Sequence, residues 1–414
     1  MRIAVVGSGI AGLGSAWLLS RNHEVVLFEK DARPGGHTDT HDIALGSRRH
    51  AVDTGFIVYN EQHYPLLTRL FATLGIESQA TTMGFSAQDA ATGLEYNAGS
   101  LRGLFCQKRN LASPRFWRML ADLRRFYREA PALLQAAEPG PTLGEYLQQN
   151  NFSPVFRDDH LVPMASALWS SPPGRILEFP AIELVRFMAN HHMLQVSGRP
   201  SWRVVCGGSQ RYVDAMRRRW TVAERFGCPV TGVCRAGGQV TVRSVAGEER
   251  FDHVVLACHA DDALAILEDA GAEEQDILGG LGYQDNDVVL HTDRNMLPRN
   301  PRAWAAWNAH IPADRDAPCS VSYWMNALQS IESSEPLIVS LNRTREIEPA
   351  RILRRLAYRH PVQTAASARA RKRKAEIQGR SGTWFAGAYW GFGFHEDGLR
   401  SAHEIAHALG VEWP

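Results

Sequence analysis

Val6-Gly7-Ser8-Gly9-Ile10-Ala11-Gly12 sits between an apolar strand, Ile3 to Val6, and an apolar helix, and it constrains the fold more than any other stretch. The first glycine permits a tight turn, the second lets backbone approach a pyrophosphate, and the third lets helix and strand pack closely. The helix N-terminus then turns its partial positive charge toward the phosphates. A second strand, Glu24 to Phe28, ends in Glu29. An acid at that place accepts from an adenosine ribose hydroxyl and disfavours a 2′-phosphate. Strand, turn, helix, strand and acid fall in order within the first thirty residues, which predicts a dinucleotide-binding unit.

The segment after Glu29 bears on which nucleotide is bound. Arg33-Pro34-Gly35-Gly36-His37-Thr38 supplies a second glycine pair that a plain NAD unit does not need, although alone it reads as an ordinary turn. Further on, Cys206-Gly207-Gly208-Ser209-Gln210-Arg211-Tyr212-Val213 steps into a helix, Val230 belongs to a following strand, and Phe251 to Cys258 reads as a strand returning to the nucleotide unit. Trp384-Phe385-Ala386-Gly387-Ala388 forms a last strand, and His395-Glu396-Asp397-Gly398-Leu399 opens a terminal helix over Ser401 to Leu409. These motifs resemble flavoproteins of the amine oxidase and phytoene desaturase superfamily. With Val52 to Asn60, Asn190-His191, Tyr323 to Asn326, Gly387 to Trp390 and Gly393 to Gly398 added, the resemblance covers nearly the whole chain. It narrows to a bacterial family of FAD-binding oxidoreductases commonly associated with cyclopropane fatty acid synthase-like methyltransferases.

The resemblance implies FAD as cofactor. Its expected site runs over Gly7, Gly9, Ile10, Ala11 and Gly12, then Glu29, Lys30 and Arg33, then Gly35, Gly36, His37 and Thr38. Thr54, Gly55 and Phe56 come next, with Val230 at the adenine and Gly387, Glu396, Asp397, Gly398 and Leu399 at the flavin. In relatives the start of the last helix aims backbone N–H groups at the flavin N1 and O2 edge, stabilising the charge of the reduced ring. The superfamily often has Gly-Asp where this chain has Gly387-Ala388, so that acid's contact must be made otherwise. The methyltransferase association implies a methyltransferase partner and chemistry on acyl chains of membrane lipids.

With 414 residues, 44% of them hydrophobic, the chain can bury two domain cores. The predicted fold is an α/β, Rossmann-like FAD-binding domain (1–75, 200–265 and 375–414) interrupted twice by an α+β substrate domain of mixed sheet and helices (76–199 and 266–374). Helical periodicity runs through Phe116, Leu120, Leu123, Phe126 and Tyr127 after Ser113-Pro114, and strands are expected over Asp287–Leu290, Cys319–Trp324 and Leu337–Leu341. A formal net charge of +1 offers no general attraction for nucleic acid. Six cysteines lack Cys-x-x-Cys or metal spacing, and the adjacent His191-His192 cannot share a helix face, so no metal is expected. The apolar N-terminus is read as the first strand and helix rather than a secretory signal, and the expected location is cytoplasmic. Between Arg102 and Arg128 stand eight basic residues and one acid, Asp122, interleaved with apolar side chains. Such a helix either lies on anionic lipid at the inner membrane face or packs an apolar face into the core beneath a solvated charged one.

Flavin N5 accepts a hydride, and the second hydrogen of a dehydrogenated acyl chain must leave as a proton. His395 and Glu396, beside the flavin turn, are the first candidates for that proton, with plain helix capping as the equal alternative; Tyr59 is a third. Asn60, His191, His291, Trp307, Tyr323 and Asn326 are candidates for the substrate pocket. Three readings stay open: an FAD-dependent acyl-lipid dehydrogenase, an amine or amino-acid oxidase, and a flavin-binding accessory of a lipid-modifying enzyme. Amine oxidases often hold a lysine linked through water to the flavin, and lysine is scarce here.

Overall fold

The computed structural model describes residues 1–413 apart from 136–139, 170–172, 196, 197, 199, 316 and 318. Arg2–Val6 (β1), Glu24–Phe28 (β2), Val222–Arg225 (β3), His253–Leu256 (β4) and Thr383–Phe385 (β5) form a parallel sheet in the order β3-β2-β1-β4-β5. Its strands are short apolar runs because both faces are covered. Ile3, Val5 and Leu27 face the helix Ile10–Leu19 (α1), whereas Ala4, Val26 and Val254 pack with Phe251 and Phe385 on the other side. The strand order reverses between β1 and β4, which places a ligand crevice beyond their carboxyl ends. The terminal helix His395–Ala408 (α2) lies against α1 so closely that a Cβ on Gly398 would stand 2.8 Å from Ile10.

A seven-stranded mixed sheet stands apart from the first. Its order is Ile352–Pro361, Tyr283–His291, Ile338–Leu341, Ser320–Trp324, Trp307–Ile311, Phe85–Asp89 and Glu95–Asn97. Pairing is parallel between Trp307–Ile311 and Phe85–Asp89 and antiparallel elsewhere. The buried Asp53 knots remote stretches together, accepting from Thr40 Oγ1 (2.5 Å), Ser209 N (2.9 Å), Ser209 Oγ (2.8 Å) and Gln329 Nε2 (2.8 Å). Burial nevertheless pushes its carboxyl up to about 6.

The basic segment is resolved by packing. Ser113 caps the helix Pro114–Glu129 by accepting from Phe116 N at 3.2 Å, and Phe116, Met119 and Phe126 turn into the core. Asp122 is buried with them and pairs with Arg118 and Arg125. The apolar face that would lie on lipid is therefore already covered by protein. Among the described residues no helix is long and apolar enough to cross a membrane.

Candidate active site

Three glycine-bearing loops interlock at the carboxyl ends of β1 and β4. Gly7 has φ +101°, and a Cβ there would stand 2.9 Å from the Ala257 backbone, while one on Gly12 would overlap the Gly7 carbonyl. Gly35 N donates to Ser8 O (3.0 Å), a Cβ on Gly36 would meet Gly9 Cα at 3.0 Å, and Phe56 N donates to His37 O (2.7 Å). A Cβ on Gly55 would overlap that same His37 carbonyl. Arg33 braces the second loop, donating to Thr38 O (3.0 Å) and Gly36 O (2.9 Å) and pairing with Asp39 at 2.9 Å.

These loops wall one end of a cavity of about 820 Å³. Gly7, Gly9, Ile10, Ala11, Glu29 and Lys30 line it, as do Arg33, Gly36, His37 and, farther along, Thr54, Gly55 and Phe56. Val230, Gly387 and His395 line it as well. Glu29 accepts from Ser8 N (2.8 Å), Ser8 Oγ (2.6 Å) and Asp31 N (2.9 Å), so its carboxylate stands fixed at the turn. Two observations fit the nucleotide to this end. A Cβ on Gly9 would meet nothing within 4 Å, so open space lies against its backbone, and the buried Nε2 of His37 has no partner among the described residues. His37 also stands 6.1 Å from His259 and 5.4 Å from His360, ring to ring, and all three line the cavity. Burial holds them neutral, at about 4 for His37 and about 3 for the others. His259, Asp261 and Asp262 converge within 4.8 Å, but the Arg359 guanidinium already bridges both carboxylates.

The other end is built from large apolar side chains. Phe85, Trp307 and Tyr323 stand in register across three adjacent strands of the mixed sheet, with the Trp307 and Tyr323 rings 5.8 Å apart. Met164, Leu168, Phe187 and Leu341 add to the wall. Apart from Lys30, Arg33 and Arg359, and Glu29, Asp31 and Asp262, the described lining carries no lysine, arginine or carboxylate, and those six belong to the nucleotide end or to β4's exit. His191 reaches this end, its Nδ1–H held by the Phe187 carbonyl at 3.0 Å, which leaves the Nε2 lone pair free to accept. Burial lowers it to about 4. His395 stacks on Phe56 at 3.7 Å, with Nε2 3.1 Å from Thr38 Oγ1 and 3.3 Å from Tyr212 OH; burial lowers it to about 3, so it is neutral.

Several expected site residues stand elsewhere. Both Glu396 oxygens accept from Leu66 N and Leu67 N at 3.0 Å, capping the helix Pro65–Leu74, because the first turn of α2 runs into that helix start. Asp397 accepts from Phe392 N (2.9 Å) and Phe394 N (3.1 Å) and so closes the turn before α2. Gly398 and Leu399 pack α2 on α1, as Gly12 packs α1 on β1, and none of these three lines the cavity. Gly35 and Thr38 stand just behind the lining, holding Ser8 and His395. Tyr59 is core, donating to Ser78 Oγ at 2.8 Å, and Asn60 folds back on His63 N at 2.9 Å. His291 is fully buried against Ser340 (2.8 Å), and Asn326 closes a turn by accepting from Leu337 N at 2.7 Å. Polar residues near a motif fell to backbone capping, whereas the lining that sequence reasoning missed, such as Phe85, Met164 and Phe187, carries no signal beyond being apolar.

The model of the family described as flavin-containing amine oxidoreductase matches residues 10–327. Among curated proteins no match is found. Among solved structures, wild-type putrescine oxidase bound to putrescine is 13% identical, with 99% of both chains covered and a TM-score of 0.71. Cyclohexylamine oxidase from Brevibacterium oxydans IH-35A is 16% identical, with 99% of both chains covered and a TM-score of 0.67. A fatty acid isomerase from P. acnes that produces CLA is 14% identical, with the same coverage and TM-score. At such identities these likenesses speak for the fold, a mixed α/β fold of parallel sheet plus separate mixed sheet. The family match runs well past the nucleotide turn and through Trp307 and Tyr323 of the mixed sheet, so the chain belongs to the flavin-containing amine oxidoreductases and is an FAD-dependent oxidoreductase.

Proposed function

We propose that this oxidoreductase dehydrogenates a long acyl chain of a membrane lipid. The observation that carries the reading is the apolar end of the cavity, walled by Phe85, Trp307, Tyr323, Met164 and Leu341 with no charged side chain among them. A methylene chain gains about 0.8 kcal/mol per buried CH₂ in such a wall, whereas an alkylammonium would lose its hydration without a carboxylate to replace it. The sole lysine of the described lining, Lys30, comes directly after the ribose acid Glu29 and is far in sequence from that wall. One solved structure of this fold belongs to a fatty acid isomerase, which supports an acyl substrate on this scaffold. The resemblance to proteins associated with cyclopropane fatty acid synthase-like methyltransferases points to the same substrate class.

When bound, FAD supplies a two-electron acceptor for a hydride from substrate carbon. The chain's own residues then do three things. The glycine loops and Glu29 hold the nucleotide, and the aromatic row orients the chain and excludes water. His191, neutral and with its Nε2 lone pair available, accepts the second hydrogen as a proton. His395, held through Nε2 by Thr38 and Tyr212 and stacked on Phe56, fixes the cavity wall beside Phe56.

The test is an anaerobic titration of the purified holoprotein, monitored through the visible flavin spectrum. Phospholipids carrying long acyl chains are expected to bleach the oxidised band and to gain one double bond by mass spectrometry. Bleaching by primary amines alone would replace this reading with an amine oxidase. A flavin that neither class reduces would replace it with an accessory role.

A further inference from the structure

We infer that the surface formed by residues 101–128 together with Arg299 and Arg302 docks on an anionic lipid bilayer and presents the mouth of the cavity to it. The inference rests on the acyl-chain reading for its cargo. The surface itself is defined by charge, exposure and position.

Charge is the first observation. The whole chain holds 45 basic and 44 acidic residues, yet the exposed side chains between 101 and 128 include seven cations and no acid. Arg102, Lys108 and Arg124 make no ion pair with any described residue, and the acids that Arg115 and Arg118 meet, Asp159 and Asp122, are buried beneath them. The fold adds more cations from a distant stretch. Asn300 donates to Cys106 O at 2.8 Å and brings the exposed Arg299 and Arg302 beside the helix Leu101–Leu104.

Exposed apolar side chains are the second. Five large hydrophobics are exposed among the described residues, and three stand here: Leu101 at 74%, Leu111 at 54% and Trp117 at 49%. Trp117 is held in place, donating Nε1–H to Leu111 O at 2.9 Å with its ring 5.4 Å from Phe105. An indole fixed at the surface against Leu111, in a segment whose other exposed side chains include seven cations and Leu101, matches the headgroup boundary of a bilayer. The apolar face of Pro114–Glu129 is not needed for this contact, since it is spent on the core.

The third observation ties the surface to the site. Ala98 and Gly99 line the cavity, Gly99 is exposed, and Leu101 comes two residues later. Tyr127, on the basic helix, lines it too. A chain leaving a bilayer seated on Leu101 and Trp117 therefore meets the apolar end of the cavity first and the nucleotide end last.

The experiment is sedimentation of the full-length holoprotein with vesicles of phosphatidylcholine alone or with added phosphatidylglycerol. Binding to the anionic vesicles alone is expected, weakening as salt rises. The combined variant Arg102→Gln, Lys108→Gln, Arg302→Gln is expected to lower the partition constant roughly a hundredfold, at about fivefold per cation. Leu101→Ser with Leu111→Ser is expected to lower it roughly tenfold while flavin content and melting temperature hold. Equal binding to both vesicles, no binding, or unchanged partition in the variants would overturn the inference. So would equally tight binding of soluble polyglutamate, which would make the partner an acidic protein. If the protein binds vesicles but no lipid reduces its flavin, the acyl reading falls and the surface stands. If detergent-dispersed lipid reduces the flavin but vesicles are not bound, the reverse holds.

Discussion

At the nucleotide end of the cavity, Gly7, Gly35 and Gly36 hold positive φ and the walls are mostly backbone; at the apolar end, Phe85, Trp307 and Tyr323 stand on extended strands and the walls are side chains. The first end binds through geometry that a single added methyl group abolishes. The second binds through apolar area, which many combinations of residues supply. The same cavity thus joins a part with almost no freedom in sequence to a part with a great deal, and the contrast teaches where substitutions should be felt as loss of fold, of cofactor or of substrate.

The largest effect is expected at Gly12. Its Cβ would overlap the Gly7 carbonyl, so Gly12→Ala should cost about 3 kcal/mol or more and give a protein without flavin, read by thermal melting and by the visible spectrum. Gly9→Ala separates fold from cofactor. With nothing within 4 Å of the added Cβ, the apoprotein should melt as the parent does while flavin retention falls. Equal behaviour of the two variants would break the contrast.

A crossed pair sharpens it at the next level. Glu29→Gln should raise the FAD dissociation constant about tenfold by removing the charge that organises the turn, with KM for the substrate unchanged. Trp307→Ala should do the opposite, leaving flavin content intact and raising KM about tenfold. Both parameters moving together in either variant would mean that the two ends are one energetic unit.

The last contrast is in pH. His37, His259 and His360 stay neutral in the folded apoprotein down to about 4, 3 and 3, whereas unfolded imidazoles take up protons near 6.5. Unfolding therefore binds protons, and stability is present above about 6.5 and lost as pH falls toward 4, up to about 3 kcal/mol per histidine. Asp53 works the other way: its folded carboxyl, at about 6, keeps a proton that the unfolded chain releases above about 4, so it favours folding as pH falls. His37→Asn should give a shallower loss of melting temperature between pH 6.5 and 4 than the parent. An identical slope would remove the histidine trio from the account.

Much of the nucleotide end was legible in the chain. The strand, turn, helix and acid of residues 3–29 are local, and the motifs expected at Phe251–Cys258 and Trp384–Ala388 supply the strands His253–Leu256 and Thr383–Phe385 of the same sheet; the edge strand Val222–Arg225 was not expected, and Val230 instead opens a separate antiparallel sheet. Polar candidates fared less well. Glu396, Asp397 and Asn326 stand beside motifs, yet each accepts from backbone N–H groups, as the Asn60 side-chain carbonyl does from His63, since a buried helix start or turn must satisfy its donors before a side chain is free for chemistry. The basic segment read equally as a lipid-facing or a core-facing helix. Packing of Phe116, Met119 and Phe126 settled that face and left Leu101, Leu111 and Trp117 outside.

The reading from sequence reached as far as residues whose backbone demands are met by one amino acid: a glycine that must adopt positive φ or admit a close neighbour announces itself wherever it stands. The apolar wall, the neutral histidines and the exposed basic rim needed the assembled chain. They arise where strands more than two hundred residues apart, such as Phe85–Asp89 and Trp307–Ile311, come into register. Hydrophobic burial is non-directional and accepts any side chain of suitable size, so which apolar residues line a cavity and which remain outside is set by their final neighbours.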